Sequence, residues 1–305
     1  MNTNPAVYTN EQMLGWVSYM STNVSFNVEK VKLMNICQRK KNVIPSVESN
    51  KRVLIFADES HTNLCYDMWK AGLGDCEVWY ETGLEPSGNL KNCKVKDMIG
   101  NGIMEPTVLL VVNENAKESY RIGIKNENFA HGPIRYVGSE IRAVIMSMLH
   151  LDSQDTVCIV SGESIAIEAA IIASEGTVIA VENNPGSMAS MEENADKFGV
   201  HNIEIIPRLS AGTLTNLPVP RIAFIVASKT LESDIEALLA INPELQIVIY
   251  TLELNILASI KDIFAKYNIQ NMEVIQIALS KLNSKSEFVT QPVPWLISGN
   301  AVKQS

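Results

Sequence analysis

Two residues of the chain have the type and spacing to hold a nucleotide-like ligand. Gly162 lies in the turn Ile159-Val-Ser-Gly-Glu-Ser164, and Glu182 follows twenty residues later. A glycine between a strand and a helix lets backbone approach a ligand closely, and the first amides of the helix then face it. An acidic side chain at the end of the next strand can accept both hydroxyls of a ribose through charge-assisted hydrogen bonds. Asn183 and Asn184 come next, with Pro185 opening the following helix, and read either as further polar contacts or as plain turn chemistry. A dinucleotide fingerprint carries three spaced glycines where this turn has one, so the turn alone is equally an ordinary strand-to-helix connection. His131, in a His-Gly-Pro turn, could act as a general acid or base, although a hinge hydrogen bond is the simpler role. Asp58, Glu59 and His61 cluster behind an apolar run, where Asp58 and Ser60 are explained as a helix cap.

Metal chemistry has no pattern to rest on. Cys37, Cys65, Cys76, Cys93 and Cys158 are scattered without a C-x-x-C pair, and the four histidines show no ligand spacing beside them. The odd cysteine count and the lack of a basic start followed by an apolar stretch favour the cytoplasm. The most apolar stretch, residues 165–181, is interrupted by Glu168 and Glu175, which argues against a membrane span. A formal net charge of -9 argues against nucleic acid as a partner, because phosphate binding requires clustered Lys and Arg.

The 305 residues exceed one ordinary core and predict two domains, 1–125 and 126–305. With 46% hydrophobic and 6% aromatic residues, rich in Ala, Ile and Val, the composition suits buried parallel strands covered by helices. Order is expected from Met13. In the first domain, strands at 53–56, 77–81 and 107–112 and a helix at 63–71, stopped by Gly72-Leu-Gly74, predict a small parallel sheet. In the second, Ser139 is expected to cap a helix running to Leu149. Strands at 156–160, 177–181, 203–206, 222–226 and 246–250 then alternate with helices at 164–174, 187–198, 231–239 and 256–267. Runs at 272–278 and 294–297 predict a terminal hairpin separated by a polar loop.

On this frame the segment Phe129-Ala-His-Gly-Pro-Ile-Arg-Tyr-Val-Gly-Ser-Glu-Ile-Arg-Ala143 resembles the precorrin-6Y C5,15-methyltransferase (decarboxylating) family of cobalamin biosynthesis. Its second domain methylates C15 and removes an acetate carboxylate. Ser164-Ile-Ala-Ile-Glu-Ala-Ala170, Val178-Ile-Ala-Val-Glu-Asn-Asn-Pro185, Glu193-Asn194, Phe198-Gly-Val-His-Asn-Ile-Glu204, Thr251-Leu-Glu253 and Trp295-Leu-Ile-Ser-Gly299 are similar to it in the same order. Lys51-Arg-Val-Leu-Ile-Phe and Ala71-Gly-Leu-Gly-Asp75 resemble the C-terminal half of the tetrapyrrole methylase domain that precedes it in fused enzymes; no counterpart of that domain's cofactor-holding first half is read before Val17, so C5 methylation is not expected.

The resemblance implies an α/β protein: a Rossmann-like class I S-adenosylmethionine methyltransferase domain with terminal antiparallel strands, behind a smaller α/β domain. It implies S-adenosylmethionine as cofactor, held by Gly162, Glu182 and Asn183, a tetrapyrrole as small-molecule partner, and a homo-oligomer. The sequence also departs from the family. The Asp-x-Gly-x-Gly-x-Gly loop is shortened to one glycine, and Glu163 adds a negative charge near where the cofactor carboxylate would lie. Leu209 stands where an acidic residue meets the adenine, Val226-Ala-Ser-Lys-Thr230 replaces a glycine-rich turn, and Val137-Gly138 replaces a Thr-Lys pair. Two readings therefore stand: a corrin-route methyltransferase, or a non-catalytic tetrapyrrole-binding, regulatory or assembly module on the same fold. The resemblance names no catalytic residue.

Overall fold

The structure is a computed structural model and describes residues 7–38, 41, 43–116, 122–130, 132–133 and 136–303. The chain divides into two compact units, residues 1–120 with 196–201, and 121–195 with 202–305.

The first unit is built on a five-stranded sheet of β1 (Lys32–Asn35), β2 (Arg52–Ala57), β3 (Glu77–Thr82), β4 (Lys91–Lys94) and β5 (Thr107–Val112), in the order β1-β2-β5-β3-β4. Only β1 and β2 pair in parallel; β5 runs antiparallel to both β2 and β3, and β3 to β4. The parallel sheet expected from the strand-helix-strand series is therefore corrected to a mixed one. The reason is insertion: β5 enters between β2 and β3, so those two strands, although joined through a helix, are not neighbours. Burial on both faces explains why β2 reads as a continuous apolar run. Val53, Ile55 and Ala57 face one core with α2 (Val43–Ser49) and α3 (Leu64–Met68). Leu54 and Phe56 face another with Trp16, Val17 and Met20 of α1 (Asn10–Val24).

That first helix begins before Met13, because Thr9 and Gln12 form a reciprocal cap: Gln12 N donates to Thr9 Oγ1 at 3.2 Å and Thr9 N to Gln12 Oε1 at 2.9 Å. The helix expected at 63–71 is α3 followed by a wider turn over Trp69–Leu73, where Gly72 at φ +84° takes the left-handed conformation that ends it.

The second unit contains a seven-stranded sheet of β6 (Thr156–Val160), β7 (Thr177–Val181), β8 (Ile203–Ile206), β9 (Ile222–Val226), β10 (Gln246–Thr251), β11 (Ile269–Gln276) and, closing the chain, β14 (Trp295–Ala301). The order is β11-β14-β10-β9-β6-β7-β8, with β6 to β10 parallel and β14 antiparallel to both β10 and β11. It is a Rossmann-like sheet with terminal antiparallel strands, as expected. Strand residues alternate between two buried faces. Cys158, Val160, Ile179, Val181, Ala223 and Ile225 pack with Leu231, Ile235 and Leu238 of α8 (Leu231–Leu239) and with Ile260 and Phe264 of α9 (Leu254–Lys266). Buried side chains of α4 (Ser139–Leu149) and α5 (Glu163–Ile172) come from Ile141, Ile145, Leu149, Ile165 and Ala169. The helix α6 (Pro185–Phe198) follows β7, and the short α7 (Ala211–Leu214) follows β8. The polar loop near the end contains its own antiparallel pair, β12 (Ser280–Leu282) and β13 (Phe288–Thr290). Among the described residues no helix is long and apolar enough to cross a membrane.

At the amino edge of the parallel strands, Arg221 Nε and Nη2 donate to Asp155 Oδ1 and Oδ2 at 2.5 and 2.7 Å, a two-point contact. The guanidinium holds the Asp155 carboxyl below the usual carboxylate range, against the opposing effect of burial. Because the folded value lies below the unfolded one near 4, the pair's contribution is complete above about pH 4 and is lost as pH falls through the folded value. Arg221 is nearly half exposed, so solvent screening keeps that contribution near 1 kcal/mol. Asp155→Asn is expected to lose that amount at pH 7 and progressively less as pH is lowered below about 4, measured by urea unfolding across that range; a loss independent of pH would show the pair contributes nothing through charge.

Candidate functional site

The carboxyl ends of β6 and β7 bring Gly162 and Glu182 together. Val160 pairs with Val181 in the parallel register, and Ser161 N donates to Val181 O at 3.0 Å, so the two strands end side by side. Between β6 and β9 the order of connection reverses, the place where open α/β sheets bind ligands.

Ser161 carries the chain around the turn at φ +57°, uncommon for a residue with a Cβ. Gly162 then sits at the cap position of α5, where a Cβ would fall 2.8 Å from Ile159 Cγ2 and 3.4 Å from Phe224. Glycine is thus required by the sheet beneath as well as by any ligand above. No side chain caps α5, which leaves the amides of its first turn open. Glu163, in that turn, is buried; its Oε2 accepts from Ser190 Oγ at 3.0 Å, which holds the carboxylate against α6. Its Oε1 is buried with no hydrogen-bond partner among the described residues.

Glu182 is also buried, and its Oε1 accepts from the amides of Asn183 and Asn184 at 2.9 and 2.8 Å. One carboxylate oxygen is thereby fixed, and Oε2 makes no hydrogen bond among the described residues. The Asn183 side chain is exposed, and only its amide is engaged with Glu182. Asn184 caps α6, its Oδ1 accepting from Gly186 and Ser187 amides at 2.9 and 3.2 Å.

A cavity of about 320 Å³ opens beside this turn, lined by Ser161, Val226 and Tyr250 at the strand ends, by Tyr136 and Glu140, and by Lys281 from β12. Tyr136 Oη donates to Ala130 O at 2.6 Å and accepts from Asn194 Nδ2 at 3.2 Å, while Asn194 Oδ1 takes the Ala130 amide at 2.7 Å. Burial pushes the phenols of Tyr136 and Tyr250 upward, so both are neutral donors near neutrality.

Behind the cavity lies the buried pair Arg142 and Glu168. Arg142 Nε donates to Glu168 Oε1 at 2.7 Å, and its Nη1 to Val137 O, Asn126 Oδ1 and Ser164 Oγ at 2.7, 3.0 and 3.2 Å. Its Nη2 reaches Ile124 O, and the guanidinium lies 4.9 Å from the Phe129 ring centroid. Glu168 also takes the amides of Ile124 and Gly123 at 2.9 and 3.1 Å. Ser139, expected as a helix cap, is instead the first helical residue after Gly138, which has no capping side chain. Arg142 fixes this helix start through Val137 O and, by its amide, Gly138 O at 2.9 Å. Sequence reasoning missed this cluster. The available signal was a charge in each of two helices whose neighbours are apolar, since buried charges require partners.

The other candidates lie elsewhere. His131 is outside the described residues. Asp58 Oδ1 accepts from the Ser60 amide at 3.1 Å and from the Ser60 hydroxyl, and Ser60 Oγ lies 2.9 Å from His61 Nδ1, a capped turn in the first unit. Leu209 packs on the core of the second unit, and Thr230 Oγ1 donates to Asp234 Oδ2 at 2.8 Å in the turn after β9. Burial pushes the Cys158 thiol up to about 12 and that of Cys65 to about 11, which keeps both protonated. No group of three or more His, Cys, Asp or Glu side chains is placed to hold a metal ion among the described residues.

A parallel sheet in this order, with an antiparallel strand before its edge and a glycine turn facing a strand-end carboxylate, defines a Rossmann-like methyltransferase fold. Residues 129–291 match the family described as precorrin methyltransferase domain, and the chain belongs to that family. The structure is similar to that of precorrin-6Y C5,15-methyltransferase from Geobacter metallireducens, at 25% identity and a TM-score of 0.54, over 58% of this chain and 96% of that one. It is similar in fold to precorrin-8w decarboxylase from Methanobacterium thermoautotrophicum, at 19% identity and a TM-score of 0.51, over 58% and 98% of the two chains. No curated protein matches the chain.

Proposed function

We propose that the second unit binds S-adenosylmethionine and acts as a methyltransferase on a tetrapyrrole of the corrin route. The observation that carries this reading is the placement of the Gly162 turn and the pre-oriented Glu182 carboxylate at the ends of neighbouring strands, with Ser161 of that turn lining a cavity at the sheet's switch point. Glu182 has one oxygen fixed by two amides and the other available for ribose hydroxyls. The open amides of α5 suit a carboxylate, and the buried Glu163 Oε1 is an acceptor of the kind an ammonium group satisfies. Glu163 is held against α6 by Ser190. When bound, the cofactor supplies an electrophilic methyl group. The protein's part is to position and to exclude water: Gly162 allows close backbone approach, while Tyr136, its hydroxyl held by Ala130 and Asn194, and Tyr250 line the cavity. The reading carries with it a cytoplasmic setting, association of the chain with its own copies, and no nucleic-acid partner.

A non-catalytic role is favoured by one observation, the apolar Leu209 packed on the core where the family carries an acid. Calorimetric titration with S-adenosylhomocysteine separates the two. Micromolar binding that Glu182→Ala weakens by at least about tenfold supports the enzyme reading, and no binding at millimolar ligand removes it.

A further inference from the structure

The cavity is lined mainly by apolar and phenolic side chains, Tyr136, Tyr250, Leu252 and Leu279 among them, which suits the face of a large ring. A corrin precursor also carries acetate and propionate carboxylates around its rim, and those need a cation. The chain's net charge of -9 supplies no general attraction for a polyanion, so the cation must be local. Among the described residues lining the cavity, Lys281 is the only one. Its Nζ lies 2.7 Å from Glu140 Oε1, and each side chain is 47% exposed. The lysine comes from β12, the carboxylate from the first turn of α4, so the contact spans the cavity wall. An ion pair this exposed contributes little to stability. Exchanging Glu140 for another carboxylate therefore costs little, while the lysine stays poised at the cavity.

We propose that Lys281 determines substrate specificity by binding a peripheral carboxylate of the tetrapyrrole, and that Glu140 holds its place until that carboxylate displaces it. This inference rests on the corrin-route reading above. It is tested by fluorescence titration of the full chain with uroporphyrin, a stable tetrapyrrole bearing eight carboxylates, alongside S-adenosylhomocysteine titration of the same samples. Lys281→Ala is expected to weaken uroporphyrin binding about tenfold, and Glu140→Gln to strengthen it about threefold by removing the internal competitor. Lys285→Ala, which removes the same charge from the exposed turn between β12 and β13, should leave the affinity unchanged, and all three variants should bind S-adenosylhomocysteine like the wild type. If Lys281→Ala binds uroporphyrin normally, or Lys285→Ala loses as much, the assignment of Lys281 is overturned while the methyltransferase reading stands. If the wild type binds S-adenosylhomocysteine but no uroporphyrin, the tetrapyrrole reading falls and this assignment with it.

Discussion

Arg142→Ala is expected to destabilise the second unit by about 3–5 kcal/mol, measured by denaturant unfolding, because it strands a buried carboxylate. Both partners are essentially inaccessible to solvent, and Glu168 would keep only the Gly123 and Ile124 amides for its charge. Glu168→Ala should cost a similar amount for the opposite reason, leaving a buried guanidinium. The double variant Arg142→Met with Glu168→Leu should recover most of the loss, since apolar groups of similar volume need no partner. A loss below about 1 kcal/mol for either single variant would mean that water reaches the pair. The pair should also matter for ligand binding. Arg142 holds Val137 on the cavity wall and Ser164 in the first turn of α5, so Arg142→Ala should weaken S-adenosylhomocysteine binding even in the fraction that remains folded.

Gly176→Ala is expected to cost about 3 kcal/mol, through a backbone collision that no rotamer change can relieve. A Cβ there would lie 1.9 Å from the Asp155 carbonyl oxygen, 2.7 Å from its carbonyl carbon and 2.8 Å from the Gln154 carbonyl carbon. That same oxygen accepts from Thr177 N at 3.1 Å, where β6 and β7 begin their parallel pairing, so relieving the clash would open the start of the ladder. Gly186→Ala is the matched control. Its nearest neighbour would be Pro133 Cγ at 3.1 Å, a side-chain atom that can yield, so thermal unfolding should separate the two variants clearly. Similar midpoints would show that the β6–β7 junction relaxes freely.

Much of the second unit was legible because its parallel strands are continuous apolar runs bounded by turn residues. The strand at 203–206 lies as expected and α5 starts one residue early, whereas the closing pair, β11 and β14, is displaced by a few residues. The first unit was less legible. Three apolar strands predict a sheet, but their pattern does not say which neighbour each takes, and β5 between β2 and β3 reversed the expected pairing. The α1 start is encoded locally in Thr9-x-x-Gln12, a reciprocal capping pair. The pair β12–β13 had no such signal, since its residues are exposed on both faces and follow no two-residue period.

The candidate site divides along the same line. By itself the sequence placed Gly162 and Glu182 at the carboxyl ends of two successive strands, because each closes an apolar run; that those strands are parallel neighbours is shown by the structure. It also determined the Asn184 cap, whose donors and acceptor lie within three residues. Only the tertiary structure decided that Glu163 turns onto Ser190, that Arg142 meets Glu168 across 26 residues, and that Lys281 reaches Glu140. Each of those contacts joins elements that packing alone brings together, and a charge's partner is chosen by that packing rather than by its neighbours in the chain.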